Sequence, residues 1–297
     1  MKKRIVSIVL VLCILSLCAC KKSSDTDSTE IETSNSAAVT TKATENEAAS
    51  ESTKATKATE TPVTTAPQET QKNQVTVSYE TIEQSEPAEP TIDFITATFT
   101  YPVITIDGNK AATDAIAASV QALRDSDQTS YDEALASSEE MYSAGNYNGT
   151  YELSTNSQMV VLTDTVICIR IDQYCFLGGA HGGSNAYGMT FDLATGKQIT
   201  FADIFTSEAD FDAVASTDIV AQINAMTEED RSIFFEDYAT SVPSCFPTAG
   251  FLYNGDTFII IFPEYAIACY AAGMSEFSLP VSEYSSQMNA YGVQLFS

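Results

Sequence analysis

Aromatic residues and glycines are confined to one part of this sequence. Of the 29 Phe and Tyr residues, 28 lie in residues 91–297, and so do all 13 Gly. A region of 207 residues with this composition can bury one large hydrophobic core or two smaller ones that share a boundary. The sequence therefore predicts that the fold lies in residues 91–297.

Residues 21–90 have the composition of a tether. They contain 15 Thr, 9 Ser, 11 Glu and 9 Ala, no Gly, and a single aromatic residue, Tyr79. So polar a segment cannot bury enough apolar surface to offset the entropy that is lost when its backbone is ordered. We therefore expect a disordered, Ser/Thr/Glu-rich tether over residues 21–90.

The first twenty residues have the pattern of an export signal. A basic start, Lys2-Lys3-Arg4, precedes an apolar stretch from Ile5 to Leu17 that is too short to span a bilayer comfortably. The stretch ends in Leu17-Cys18-Ala19-Cys20, which resembles the bacterial lipobox. This implies a lipoprotein signal peptide over residues 1–20, lipid such as palmitate on Cys20, and a place on the outer face of the bacterial cell membrane. A plain signal peptide cut elsewhere and an uncleaved anchor are the alternatives.

The charge of residues 91–297 is strongly acidic. This region has 27 acidic residues against 5 basic ones, a net charge of −22. The basic residues are Lys110, Arg124, Arg170, Lys197 and Arg231. Such a domain repels nucleic acid and anionic lipid headgroups, and it attracts cationic proteins, polyamines or divalent metals. Solubility alone is the alternative explanation for the charge.

Hydrophobic periodicity indicates an α+β fold. The predicted strands are 92–105, 150–154, 159–162, 165–176, 187–193, 198–201, 251–253, 257–262 and 274–281, and the predicted helices are 112–123, 131–143, 208–226 and 228–238. The helices come in blocks between strands and do not alternate with them. The pattern therefore favours antiparallel sheets with packed helices over a doubly wound α/β fold.

Three segments of the sequence resemble motifs of a known family. Residues 172–182 are similar to a Tyr-x-x-x-Gly-Gly-Ala-His segment, and residues 191–205 to a Phe-Asp-Leu-x-Thr-Gly-Lys pattern that ends in Asp-Leu-Phe. Residues 262–280 resemble a Pro-Tyr-x-Ile-Ala segment followed by Gly and Ile-Pro. Together they resemble the two-part extracytoplasmic module found beside PdaC-type peptidoglycan deacetylases and in lysozyme-binding anti-sigma factors of the RsiV type. The resemblance implies a PdaC-accessory-like sub-domain at 91–190 and an RsiV-like sub-domain at 191–297.

The catalytic parts of that family are not expected here. A metal-dependent deacetylase needs several His and Asp ligands, whereas this sequence has one His, His181. It also contains no Gly-x-Ser-x-Gly elbow, P-loop or His-Glu-x-x-His motif. We therefore expect no enzyme activity, cofactor or metal, and a cell-surface module that binds or senses a cationic protein such as lysozyme or a cell-wall component. A cell-wall-modifying hydrolase of unrecognised type and a lipoprotein with a purely structural role in the envelope are the alternatives.

The candidate binding loop is the glycine-rich stretch that contains Gly178, Gly179, His181 and Gly182. In a functional interpretation the loop displays His181, and its backbone amides hold an anion or a carboxylate of a partner. In a structural interpretation the His181 ring bonds to backbone where the two halves meet, and the glycines permit the tight turns around it. The sequence favours the structural interpretation, because lone histidines more often have a satisfied structural role.

Four cysteines lie in the predicted fold, namely Cys168, Cys175, Cys245 and Cys269. Four cysteines allow three pairings, and disulfides can form outside the cell. Cys168 and Cys175 are an odd number of residues apart on one predicted strand, so their side chains face opposite ways and cannot pair directly. The other two pairings, and four reduced thiols, remain open at this stage.

Overall fold

Most of the chain from residue 75 onward is described by the structure, a computed structural model. It covers residues 75–89, 92–247 and 250–296, together with the backbone of two short strands at 61–63 and 70–72. All of these residues belong to one unit, 58–297. The predicted signal peptide, Cys20 and most of the predicted tether lie outside the described residues.

A large sheet forms the first half of the fold. Its strands are β1 (Thr61–Val63), β2 (Thr70–Lys72), β3 (Val75–Glu89), β4 (Ile92–Ile106), β5 (Tyr151–Leu162), β6 (Val166–Phe176) and β7 (Gly183–Asp192). They lie in the order β1-β3-β4-β5-β6-β7, with β2 also paired to β3. Neighbours are antiparallel except for β4 and β5, which are parallel. The structure confirms the α+β class, with this one parallel pair as the exception to the predicted antiparallel pairing.

The predicted tether ends earlier than residue 90. Residues Val75–Glu89 form β3, which pairs with β4 from Val75 opposite Ile106 to Glu89 opposite Ile92. Val75 and Val77 are buried in the same core cluster as the residues of β4. The prediction was wrong for this segment because the alternation of Val75, Val77 and Tyr79 is short, and the polar composition of the whole stretch outweighed it.

The two helices predicted at 112–123 and 131–143 are one helix, α1 (Lys110–Ser143). The Asn109 side chain caps its first turn by accepting a hydrogen bond from the Ala112 N–H at 3.1 Å. One stripe of α1 packs on the sheet, formed by Ala112, Ile116, Val120, Leu123, Asp127, Tyr131, Ala134 and Ser138. The stripe keeps helical spacing through the polar middle of α1, so the helix does not break there.

Asp127 explains why that polar middle is helical. Its buried carboxylate accepts hydrogen bonds from the Tyr101 hydroxyl at 2.9 Å and from the Gln173 amide at 3.0 Å. The Arg124 guanidinium lies over the Tyr101 ring, 4.5 Å from its centroid. Burial raises the pKa of Asp127 above its ordinary value, against the lowering effect of these hydrogen bonds. The polar residues that resemble a loop in sequence thus anchor α1 to strands β4 and β6.

The second half of the fold combines a small sheet with short helices. Strands β8 (Leu252–Tyr253), β9 (Thr257–Phe262) and β10 (Ser275–Pro280) form the sheet in the order β10-β9-β8. The helices are α2 (Phe201–Ile204), α3 (Glu208–Ala225), α4 (Glu228–Arg231), α5 (Tyr238–Ser244), α6 (Val281–Tyr284) and α7 (Ala290–Phe296). Strands β8 and β9 pair as an antiparallel hairpin on either side of Asn254-Gly255, a dipeptide typical of hairpin turns.

Four details of this half differ from the prediction. The predicted helix 228–238 is helical only in α4, and α5 begins at its last residue, Tyr238. The predicted strand 198–201 is reduced to a single bridge between Gln198 and Phe191. Helix α2 begins at Phe201, where Thr200 and Asp203 form a capping box. Helices α6 and α7 follow the last strand and were not predicted. In the described part of the chain, no helix is both long and apolar enough to cross a bilayer.

Strand β6 carries a hydrophobic core on each of its faces. Ile167, Ile169 and Ile171 belong to the core that α1 covers, whereas Val166 and Cys168 belong to the core of the second half. The two cores therefore share this strand, which explains its nearly continuous apolar sequence. As predicted from their odd spacing, Cys168 and Cys175 contact different cores. Cys168, Cys245 and Cys269 form no disulfide with one another in the described residues.

The two halves approach each other closely at Gly188 on β7. A Cβ atom at Gly188 would lie 2.0 Å from the Phe251 carbonyl oxygen, and one at Gly250 would lie 2.3 Å from the Gly188 carbonyl oxygen. The Thr190 hydroxyl donates to the same Phe251 oxygen at 3.0 Å. Glycine is required at this contact because any side chain would clash with the opposing backbone and force the two segments apart.

Candidate functional site

The glycine-rich loop follows β6 and returns the chain to β7. Gly178 and Gly179 turn it with positive φ angles. Gly182 lies flat on the Tyr174 ring, since a Cβ atom there would come within 2.4 Å of the Tyr174 hydroxyl oxygen. The loop thus brings His181 to the segment that connects β9 and β10 in the second half of the fold.

His181 is exposed and contacts two tyrosines of that segment. Its ring stacks on Tyr270, with the centroids 3.9 Å apart and the planes at 23°. Its Nε2 atom lies 3.3 Å from the Tyr265 hydroxyl, and its Nδ1 atom lies 2.9 Å from the Gly182 carbonyl oxygen. We call His181, Tyr265 and Tyr270 the aromatic cluster.

The aromatic cluster combines features of both interpretations of the loop. The bond to the Gly182 carbonyl and the contact with Tyr265 and Tyr270 are those expected of a structural His at the meeting of the two halves. His181 and Tyr265 are exposed and Tyr270 is half-buried, as expected of a binding surface. Tyr265 is the most exposed large hydrophobic side chain of the described residues, at 52%.

Tyr265 has an unusual backbone conformation. Its φ angle is 65°, and among the described residues it is the one non-glycine residue with a positive φ. A bulky residue in this region is strained, and such strain persists where the surrounding structure holds it. The turn is closed by a hydrogen bond from the Ala266 N–H to the Pro263 carbonyl at 3.1 Å. The strained turn projects the Tyr265 ring toward solvent and toward His181.

A carboxylate of the chain itself binds a backbone amide directly after the loop, at the start of β7. The Glu264 carboxylate accepts a hydrogen bond from the Ser184 N–H at 3.1 Å. Glu264 precedes Tyr265, so this bond also fixes the segment that carries the ring. The environment of the aromatic cluster is therefore negative, which disfavours an external anion.

The basic residues of the described chain have partners elsewhere. Four of them form ion pairs, namely Lys110 with Asp114, Arg124 with Glu80, Arg170 with Asp172 and Glu276, and Lys197 with Asp203. Arg231 donates to the Asn224 carbonyl at 3.1 Å. Most of the 31 acidic residues between 75 and 296 therefore have no basic partner within the described structure.

Among the described residues, His181 is not paired with a nucleophile. The hydrogen-bond partners of its ring are a backbone carbonyl and a tyrosine hydroxyl, with no serine or cysteine nucleophile in the pair. Within the described ranges, no group of three His, Cys, Asp or Glu side chains is placed to hold a metal ion. The geometry is that of a contact surface with aromatic and acidic groups.

Family models match both halves of the fold. Residues 91–184 match the model described as "Deacetylase PdaC", and residues 202–282 match a "Protein of unknown function (DUF3298)". The chain carries a PdaC-type segment followed by a DUF3298 segment. The order agrees with the resemblance seen in the sequence motifs, and it identifies an uncharacterised extracytoplasmic type of domain. Strand β3 lies before the first match, so the family motifs could not reveal it.

Two solved structures of DUF3298 proteins are similar to this chain, and the one with the higher TM-score shares its fold. One from Bacteroides fragilis has a TM-score of 0.55 at 20% identity, and the match covers 75% of this chain and 97% of that chain. One from Pseudomonas aeruginosa PAO1 has a TM-score of 0.47 at 13% identity, and covers 72% and 94%. Comparison with curated protein sequences gives no match.

Sequence reasoning found part of the aromatic cluster. The candidate loop contained His181, and the structure places Gly182 beneath Tyr174 and Gly178 beside the Asn148 side chain. Tyr265 lay inside the motif at 262–280, but nothing marked it as a site residue, and Tyr270 was not recognised. The signal that could have found Tyr265 is the Pro263-Glu264-Tyr265 sequence, an exposed aromatic in a turn between two strands.

Proposed function

We propose that the PdaC–DUF3298 domain is a non-catalytic module that binds a cationic protein, with lysozyme as the representative ligand. The observation that carries the proposal is the combination of an exposed aromatic cluster with unpaired acidic charge. The described chain has 31 acidic residues and 5 basic ones between 75 and 296, and the basic ones have partners within the fold. Such a field accelerates the approach of a cationic partner.

The aromatic cluster is the docking surface in this proposal. Protein interfaces are enriched in tyrosine and depleted of charge at their centre, where a few residues supply most of the binding energy. Tyr265 is 52% exposed, and Leu177 on the neighbouring loop is 43% exposed. Arginine and lysine side chains of the partner can stack on the tyrosine faces. The surrounding carboxylates then form the acidic rim.

The binding proposal is tested by calorimetry with lysozyme at low and at physiological salt. We expect binding at both, because exposed charges are screened beyond about 8 Å at physiological salt whereas a packed aromatic centre is not. Replacing Tyr265 by Ala should weaken binding about tenfold or more at physiological salt. The matched control is Val103→Ala, which removes a 42% exposed side chain from β4.

Four outcomes contradict the binding proposal. No heat at either salt rules out lysozyme as a ligand. Binding at low salt alone, or an equal effect of Tyr265→Ala and Val103→Ala, reduces the interaction to general charge attraction. Turnover of muropeptides by the purified protein, abolished by one carboxylate substitution, would establish the hydrolase alternative.

We also propose that the domain is held at the outer face of the cell membrane by lipid on Cys20. The support is the Leu17-Cys18-Ala19-Cys20 sequence after a basic and apolar start. Replacement of Cys20 by Ala should leave the precursor unprocessed or release the protein into the medium, measured by fractionation and intact mass. Membrane attachment of the Cys20→Ala protein at the mature mass contradicts this proposal. Replacement of Cys18 by Ala is the control and should leave processing intact.

A further inference from the structure

A second surface site lies on the large sheet, beside the aromatic cluster. A shallow groove of about 180 Å³ crosses β4, β5 and β6, lined by Thr96, Ala97, Thr98, Glu152, Leu153, Ser154 and Tyr174. Ala97 and Leu153 face the core beneath α1, so alternation along the strands places the polar lining on the opposite face. We propose that this groove binds an amino sugar, a pyranose ring that carries a protonated amine.

The strand register places the polar groups of the groove side by side. Thr96 pairs with Glu152 and Thr98 pairs with Ser154 across the parallel strands, and Ser154 pairs with Tyr174 across the antiparallel ones. Three hydroxyl-bearing side chains therefore lie in one row, with a carboxylate in the next. Hydroxyls both donate and accept, so this row can match the alternating donors and acceptors of sugar hydroxyls.

Tyr174 supplies a flat apolar surface at the end of that row. Its side chain is 36% exposed, and its other side lies against the backbone of Gly182. The close approach of Gly182 fixes the ring without covering its outer part. Burial and the neighbouring Glu152 carboxylate raise the pKa of Tyr174. An aromatic face held in this way can pack on the C–H face of a pyranose ring. Because the ring is already fixed before the ligand binds, little side-chain entropy is lost on binding.

The charge of the groove selects among sugars. Glu152 is exposed within the groove, and none of the described residues that line it is Lys or Arg. An anionic sugar or a phosphate would meet only negative groups there, and an N-acetylated sugar would leave the carboxylate without a counter-charge. A protonated amine can pair with Glu152 and lie near the Tyr174 ring face. The chemistry therefore favours an amino sugar over its acetylated form.

This inference concerns another ligand and another surface than the proposed function, and it does not depend on lysozyme binding. The test uses the intact chain and two probes that differ only in their acetyl groups, a tetramer of glucosamine and a tetramer of N-acetylglucosamine. Calorimetry at pH 6 and physiological salt keeps the amines protonated and screens general attraction. We expect the glucosamine tetramer to bind about tenfold more tightly or better.

Conservative variants assign the binding to the groove. Glu152→Gln should weaken binding of the glucosamine tetramer about tenfold and remove the preference for it over the acetylated tetramer. Tyr174→Phe keeps the ring, so its affinity for the glucosamine tetramer should stay within about twofold of that of the original protein. Tyr174→Ala removes the ring and should lower that affinity about tenfold. Circular dichroism confirms that Tyr174→Ala is folded. Glu139→Gln, an exposed carboxylate on α1, is the matched control for charge and should have no effect.

Three results overturn the inference. Equal affinity for the two tetramers, including no binding of either, shows that the groove does not recognise the amine. An equal loss in Glu152→Gln and Glu139→Gln shows that the polycation binds the acidic surface as a whole. Retention of tight binding by folded Tyr174→Ala likewise removes the groove as the site.

Discussion

A fragment that begins at Thr91 should fail to fold, whereas one that begins at Ala58 should fold. The shorter fragment lacks β3, which pairs with β4 along nearly its whole length and buries Val75 and Val77. Loss of a paired strand and its core contacts exceeds the stability of about 5–15 kcal/mol that a domain of this kind has available. Thermal unfolding followed by circular dichroism should show a cooperative transition for the longer fragment alone.

The composition of the two fragments makes this comparison specific. Residues 58–90 are polar, so their removal by itself should not reduce solubility. An equally cooperative transition in both fragments would show that β3 is dispensable, and that the fold begins where the family match begins. Partial rescue of the shorter fragment by an added 75–90 peptide would support the role of β3 directly.

Replacement of Gly188 by Ala should destabilise the domain by about 3 kcal/mol, which corresponds to a fall in Tm of about 6–12 °C at this size. The added Cβ atom would meet the Phe251 carbonyl oxygen at 2.0 Å, and the backbone of one half would have to move away from the other. The opposing atoms are backbone atoms, so rotation of a side chain cannot relieve the clash.

Gly183→Ala is the control for this substitution, because Gly183 lies on the same strand with nothing within 4 Å of a Cβ atom. It should change the free energy of unfolding by less than about 1 kcal/mol, since removing backbone freedom from the unfolded chain has a small effect of opposite sign. Similar melting temperatures for Gly188→Ala and Gly183→Ala would show that the backbone at the contact between the halves can move without a loss of stability.

Local chemistry made parts of this fold predictable. The Asn254-Gly255 turn is encoded in adjacent residues, because the Asn254 side chain accepts a hydrogen bond from the Thr257 N–H at 3.1 Å. The alternation along β6 likewise placed Cys168 and Cys175 on opposite faces. In each case the residues that decide the structure are neighbours in the sequence.

Long-range contacts decided what the sequence did not predict. Helix α1 continues through its polar middle because Asp127 meets Tyr101 and Gln173, which lie 26 and 46 residues away. The aromatic cluster likewise needs Tyr270, which is distant from His181 in sequence and stacks on it only after the halves pack. Sequence patterns indicate whether a residue is buried or exposed. They carry little information on which distant residue it will contact.

His181 comes from the segment matched to PdaC, while Tyr265 and Tyr270 come from the segment matched to DUF3298. The aromatic cluster is thus a composite surface, which neither segment can assemble on its own. Binding of a ligand that contacts all three rings therefore depends on how the two segments pack together, as well as on the chemistry of their side chains. Duplication or transfer of one segment without the other would preserve much of its sequence motif and lose the surface.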